Sequence, residues 1–318
     1  MNANSITKVS VFGLGTMGVG IAQVFALANR AVRCFDPQAS ARDSAVNRIR
    51  QELEQTRDAG IIDTAAVEAA LERLTICETE EDALRDAEFV TEAIIEDLGI
   101  KQELFPRMEH SVSPECILAS NTSTYPMTEI AVSMRLPERA VCTHWFNPGH
   151  IVPLVEVIPG QKTSEETTCT TLDLLEDIGK TAVRVRKEVP GFLVNRIQVA
   201  LLREALNLLD QGVASAEDID RAVQSSVGFR LATVGPLRVF DFAGHDVNAP
   251  VMDGILKEIS SSREVPAIVR RFIQDGNLGV KTGKGIYDYS DTTPEKLRED
   301  RDQRFLKIKK LLYPPKES

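Results

Sequence analysis

Short apolar runs and longer stretches of helical spacing alternate along the first 187 residues. The runs 8–12, 31–35, 89–94, 117–120, 140–146, 154–158 and 181–186 read as strands, with a shorter one at 74–77. Between them, apolar positions recur at helical spacing over 39–59, 64–73, 81–86 and 98–110. A further helix starts at Thr163 or Ser164, either of which can cap it, and runs through Ile178 to a stop at Gly179. Strands alternating with helices predict βαβ units and a parallel sheet covered on both faces. Beyond Lys187–Gly191 no strand pattern of any length appears, and the remainder reads as helical. The chain therefore divides into 1–187 and 188–318.

The helix expected first after that boundary, 192–209, is apolar on nearly every side, with Phe192, Val194, Ile197, Val199, Leu201, Leu202, Leu206 and Leu209. Such a helix has to be covered all round. A small domain covers one face, so a second copy of the same domain is expected on another. The tail, 293–312, is charged and amphipathic with a sparse stripe of Leu297, Phe305, Ile308 and Leu311, and predicts a helix docked on the surface.

The strand ending at Phe12 runs directly into Gly13-Leu14-Gly15-Thr16-Met17-Gly18, and Val19 to Leu27 continue as an apolar helix. This is the strand-to-helix corner that a dinucleotide's pyrophosphate needs. Gly13 permits the tight turn, Gly15 lets backbone approach phosphate, and Gly18 lets helix and strand pack together. The helix N-terminus then faces the anion. Asp36, closing the next strand, stands where a carboxylate bonds a ribose diol, and its charge favours NAD over a 2′-phosphorylated cofactor. The expected fold is α/β: a Rossmann-type doubly wound, mainly parallel sheet forming an NAD-binding domain, followed by a smaller all-α domain for substrate and dimerisation.

The formal net charge of −10 argues against nucleic acid or an anionic membrane as partner. The 18 uncharged residues from Val11 to Ala28 have the length of a membrane span, but the glycines at their head favour strand, turn and buried helix. No export signal pattern opens the chain, and the five cysteines are scattered without a CxxC spacing. A reducing cytoplasm, bland thiols and no metal are the expectation.

Four polar residues carry the candidate chemistry. Ser123 follows a strand's carboxyl end, where ligands of open α/β sheets bind. His144 lies in an otherwise apolar strand, Glu156 interrupts the run Leu154-Val155-Glu156-Val157-Ile158, and Asn195 sits on the apolar helix past the boundary. A carboxylate between two valines is costly to bury alone. Imidazole is its natural partner: Glu156 would set the tautomer of His144 and leave the other nitrogen to take a hydroxyl proton. Ser123 and Asn195 could donate to an oxygen that gains negative charge as a hydride leaves its carbon. His110, His150 and His245 lack such a setting, although His150 is close enough to touch a substrate.

These stretches, with Glu92-Ala-Ile-Ile-Glu-Asp97, Ser120-Asn-Thr-Ser123, His144-Trp-Phe-Asn-Pro148, Leu154-Val-Glu-Val157, Pro190-Gly-Phe-Leu-Val-Asn-Arg196 and Lys281-Thr-Gly-Lys-Gly285, resemble the L-3-hydroxyacyl-CoA dehydrogenase family. The resemblance covers nearly the whole chain. It implies His144 as base, Glu156 as its partner, and Ser123 and Asn195 as ligands of the substrate oxygen. It further implies NAD bound by the corner from Gly13 through Thr16 and Met17 to Gly18 and by Asp36, Glu96, Lys101, Asn147 and Lys281, and a homodimer through the helical domain. The implied reaction oxidises a secondary 3-hydroxyl to a ketone, as on a short-chain 3-hydroxyacyl-CoA such as 3-hydroxybutyryl-CoA.

Two departures bear on the substrate. The region after Asp36 carries Arg42, Arg48, Arg50 and Arg57 against Asp43, Glu52, Glu54 and Asp58, whereas the acyl-CoA enzymes are rich in lysine there. The segment Gly228-Phe-Arg-Leu-Ala-Thr-Val-Gly-Pro236 replaces a short Gly-His-Pro and is similar to the branches acting on free small acids, such as gulonate and carnitine dehydrogenases. Arg230 is then the candidate for gripping a free carboxylate. An acyl-CoA and a free hydroxy acid both remain open as substrates, and a crystallin-like protein without catalysis is the third reading.

Overall fold

The computed structural model describes residues 5–314. Its sheet forms from the apolar runs: β1 (Lys8–Phe12), β2 (Ala31–Phe35), β3 (Leu74–Ile76), β4 (Phe89–Glu92), β5 (Ile117–Ser120), β6 (Ala140–Trp145), β7 (Leu154–Pro159) and β8 (Thr181–Arg184). They make one sheet in the order β3-β2-β1-β4-β5-β6-β7-β8. Every neighbouring pair is parallel except β6 with β7, which is antiparallel and sets His144 directly opposite Glu156.

Helices α1 (Thr16–Leu27), α2 (Ala39–Asp58), α3 (Thr64–Glu72), α4 (Glu80–Leu84), α5 (Leu98–Ser111), α6 (Met127–Ile130) and α7 (Glu165–Asp177) cover the sheet. Local caps start them where the sequence offers a side chain: Asp63, Thr79, Asp97 and Ser164 each accept from a backbone N–H in the first turn. Two apolar layers result. One joins Val9, Val11, Ile21, Phe25, Val32, Ile49 and Trp145, and the other Phe12, Phe35, Val90, Phe105, Leu118 and Cys142. The uncharged stretch from Val11 is thus β1, turn and α1. Among the described residues no helix is long and apolar enough to cross a membrane.

The structure divides into two units, residues up to Leu193 together with those from Arg301 onward, and Val194–Asp300. The second unit is helical as expected: α8 (Val194–Asp210), α9 (Ala216–Ala222), a π-helical turn (Val223–Gly228) leading into α10 (Phe229–Leu231), α11 (Pro236–Ala243), α12 (His245–Ile255) and α13 (Ala267–Gln274). No residue of α8 is buried, and Ile197, Val199, Leu201 and Leu202 stand at least 45% exposed.

The tail departs from the sequence reading. Helix α14 (Pro294–Leu312) is there, but from Arg301 it belongs to the first unit, not to a helical domain running to residue 318. The expected stripe does not dock either: Phe305, Ile308 and Leu311 are exposed, while Leu306 is buried. Asp302, Leu306 and Lys309, at i, i+4 and i+7, form the inward face. Two of these three are charged and held by polar contacts, which a count of apolar positions passes over.

Candidate active site

The glycine corner has the geometry its sequence requires. Gly13 adopts φ +90°, and its N–H donates to the Phe35 carbonyl at 2.8 Å. A Cβ on Gly13 would meet the Ala93 carbonyl oxygen at 2.5 Å, and one on Gly18 would fall 1.7 Å from the Gly13 carbonyl oxygen. Gly15 differs: a Cβ there meets nothing within 4 Å, and its φ of −68° is open to any residue. The protein's own packing does not ask for glycine at this position, and the backbone there is open to a ligand's approach.

Asp36 closes β2 with its carboxylate oriented by two amides, Leu14 N–H at 2.8 Å and Gln38 N–H at 2.9 Å. A cleft of about 520 Å³ runs from Gly13, Gly15 and Asp36 past Ala93, Ile94 and Ile95 to Arg107. Open backbone at Gly15, a fixed carboxylate one strand away and an apolar wall fit NAD: phosphates at the corner, ribose on Asp36, the base against the apolar side chains.

Beside this cleft the ends of β4, β5 and β6 assemble the chemistry. His144 Nδ1 lies 2.8 Å from Glu156 Oε2, with both side chains buried. Glu156 Oε1 accepts from Leu193 N–H at 3.2 Å, so the carboxylate is fixed at both oxygens. The rings of Phe146 and Phe192 flank the imidazole, with centroids 4.4 and 5.5 Å away. Nε2 is the imidazole nitrogen that Glu156 leaves unengaged.

Ser123 stands exposed on the loop after β5, and that loop is built around Glu96. Glu96 Oε1 accepts from Thr122 Oγ1 at 2.7 Å and from the N–H groups of Ser123 and Thr124, each at 3.0 Å. Burial alone would push the Glu96 carboxyl upward. The Thr122 hydroxyl, the Lys101 charge and the Ser123 amide outweigh it and hold Glu96 below the usual carboxylate range. Lys101 is fully buried, its ammonium 2.6 Å from Glu92 and 3.3 Å from Glu96, so its charge is matched inside the protein. Asn147 is exposed on the loop directly after β6.

Sequence reasoning passed over the residues that hold this arrangement. Glu92 is fully buried at the end of β4 and accepts from Lys101, from Ser120 Oγ at 2.6 Å and from Ile94 N–H at 2.8 Å. Asn121 Oδ1 accepts from Trp145 N–H at 2.9 Å, tying the serine loop to the histidine strand. A carboxylate at the end of a buried strand was the signal for Glu92, as one inside an apolar run was for Glu156. His150 is corrected as a substrate contact: it is buried, with Nδ1 3.2 Å from Glu52. Asn195 in the first turn of α8, Arg230 in α10 and Lys281 in a single 3₁₀ turn, Val280–Thr282, belong to the second unit. Arg230 is exposed there, its guanidinium bonding the Ser226 hydroxyl at 3.2 Å.

Comparison with known proteins agrees with this division. The chain is 33% identical over 310 residues to 5-formyl-3-hydroxy-2-methylpyridine 4-carboxylate 5-dehydrogenase of Mesorhizobium japonicum, covering 96% of this chain and 98% of that protein. A crystal structure of an enzyme of that name, described as an NAD+ dependent dismutase, superposes with a TM-score of 0.90 at 32% identity, covering 96% of this chain and 98% of the other. A probable 3-hydroxybutyryl-CoA dehydrogenase of Bacillus subtilis is 36% identical over 289 residues, 91% of this chain and 99% of that one. The family sequence model described as 3-hydroxyacyl-CoA dehydrogenase, NAD binding domain, matches residues 8–189, and that family's C-terminal domain matches 191–289. On these matches, and on a nucleotide corner followed by a helical unit, the chain belongs to the 3-hydroxyacyl-CoA dehydrogenase family.

Proposed function

We propose that the protein oxidises a secondary hydroxyl with NAD, using His144 as general base and Glu156 as the group that orients it. The observation that carries this reading is the buried 2.8 Å contact between His144 Nδ1 and Glu156 Oε2, across an antiparallel pair in register. Glu156 keeps the Nδ1 proton in place, so Nε2 presents its lone pair to the substrate hydroxyl and takes its proton. Ser123, set by the Glu96 turn, donates to the substrate oxygen, and Asn195 is assigned the same task from the resemblance. Gly13, Gly15, Thr16, Met17, Gly18, Asp36, Glu96 and Asn147, with Lys281, are assigned to NAD, which when bound accepts the hydride; Lys101, expected from the resemblance as a contact, is fully buried and instead supports Glu96. A homodimer through the exposed apolar face of α8 completes the reading, and sedimentation as a monomer at micromolar concentration would rule it out.

The named relatives act on either a CoA thioester or a pyridine carboxylate, and α2 favours the free acid. Its arginines are already engaged: Arg42 with the Asp36 carbonyl at 2.7 Å and with Glu78, Arg48 with the Leu14 carbonyl at 2.8 Å, Arg50 with Glu68, and Arg57 with Asp58. This leaves α2 without a ready cation for the phosphates of CoA. The 3-hydroxyacyl-CoA reading is tested beside it by following NADH at 340 nm with 3-hydroxybutyryl-CoA and with a panel of free hydroxy acids. The expected result is turnover of a free acid, with activity falling on Arg230→Ala. Turnover of the thioester alone would transfer the reading to acyl-CoA.

A further inference from the structure

Outside the cleft, the loop joining β6 to β7 is gripped by two lysines that the reaction does not use. Lys180, just before β8, donates to the Gly149 carbonyl at 2.6 Å and the Val152 carbonyl at 2.9 Å, and its ammonium lies 5.0 Å from the centre of the Trp145 ring. Lys309, on α14, donates to the His150 carbonyl at 2.7 Å. The other side of the loop rests on α1 and α2. A Cβ on Gly20 would come 3.3 Å from the His150 amide nitrogen, and His150 Nδ1 reaches Glu52, which also bonds Gln23.

These groups are held against their solvation preferences. Burial draws Lys309 down to about 8 and, with the Lys309 charge, Lys180 well below the lysine range. Burial, with the charges of Lys309, Lys180 and Arg301, lowers His150 to about 3. Burying an ammonium is costly unless each donor finds a strong acceptor, and here the acceptors are three carbonyls of one loop. That loop starts one residue after the strand bearing His144 and ends at the strand bearing Glu156, with Asn147 at its head. The match to the family's C-terminal domain model ends at residue 289, ahead of α14.

We propose that α14 is a strap for the active-site loop and that Lys309 is a positioning residue, holding the His150 carbonyl so that Asn147 and His144 stand correctly at the cleft. This rests on the reading of His144 as base and of Asn147 as a cofactor contact. The test is Lys309→Met in the full-length protein, which keeps the unbranched apolar stem and removes the ammonium donor. Trp145 is the chain's single tryptophan, so its emission reports directly on this loop.

Expected are a shifted Trp145 emission, a KM for NAD raised about tenfold and kcat lowered by a similar factor, the scale of a misplacement of about 1 Å. Should the methionine variant not fold, Lys309→Gln, a shorter donor, carries the same measurements. Wild-type kinetics, or kinetic loss with unchanged emission, would overturn the strap. His144→Gln is run alongside: full activity there refutes the base, whereas an inactive His144→Gln with an unimpaired Lys309→Met refutes the strap alone.

Discussion

Replacing His144 with Gln is expected to lower kcat by about 10²–10⁴-fold on the best substrate found, the range attached to a lost general base. The amide of glutamine can still bond Glu156, so the buried carboxylate keeps a partner and the strand pair keeps its register. Nothing in that side chain accepts a proton near neutral pH. The glycine corner and Asp36 are untouched, so NADH binding measured by fluorescence should match the wild type. Near-normal turnover in this variant would show that His144 is not the base.

Gly18→Ala carries the second large effect. The new Cβ would sit 1.7 Å from the Gly13 carbonyl oxygen and 2.8 Å from its carbon, and both are backbone atoms that no rotamer change moves aside. The strand-to-helix corner has to open, costing at or above the upper end of the about 1–3 kcal/mol typical of overpacking. Thermal unfolding should shift down by several degrees and NADH binding should be lost with it. Gly15→Ala supplies the contrast, since its Cβ meets no protein atom within 4 Å. There the melting temperature should hold while affinity for NAD falls at least about tenfold, or 1.4 kcal/mol. Equal thermal stability in both variants would refute the division of labour among the glycines.

The alternation of strand and helix was legible in the chain because each element writes its own period into consecutive residues. The glycine corner, Asp36 and the odd polar residues His144 and Glu156 were legible for the same reason, as exceptions to a local pattern. Other polar residues were misjudged or missed because burial and pairing leave no periodic mark on them. Glu92 and Lys101 form a buried pair whose members look like any strand-end glutamate and helix lysine. The tail was read by its apolar stripe, whereas the face that docks carries Asp302 and Lys309.

The sequence by itself determined the order of elements, the nucleotide corner and the identity of the two residues assigned to proton transfer. Only the tertiary structure decided that β7 returns antiparallel to set Glu156 against His144, that Glu96 folds the serine loop, and that Lys309 reaches the His150 carbonyl 159 positions away. The division is physical. Periodicity and turn chemistry act within a few residues and leave a visible mark. A buried hydrogen bond between distant segments is selected by three-dimensional proximity, and it leaves each partner looking like an ordinary surface residue in the sequence.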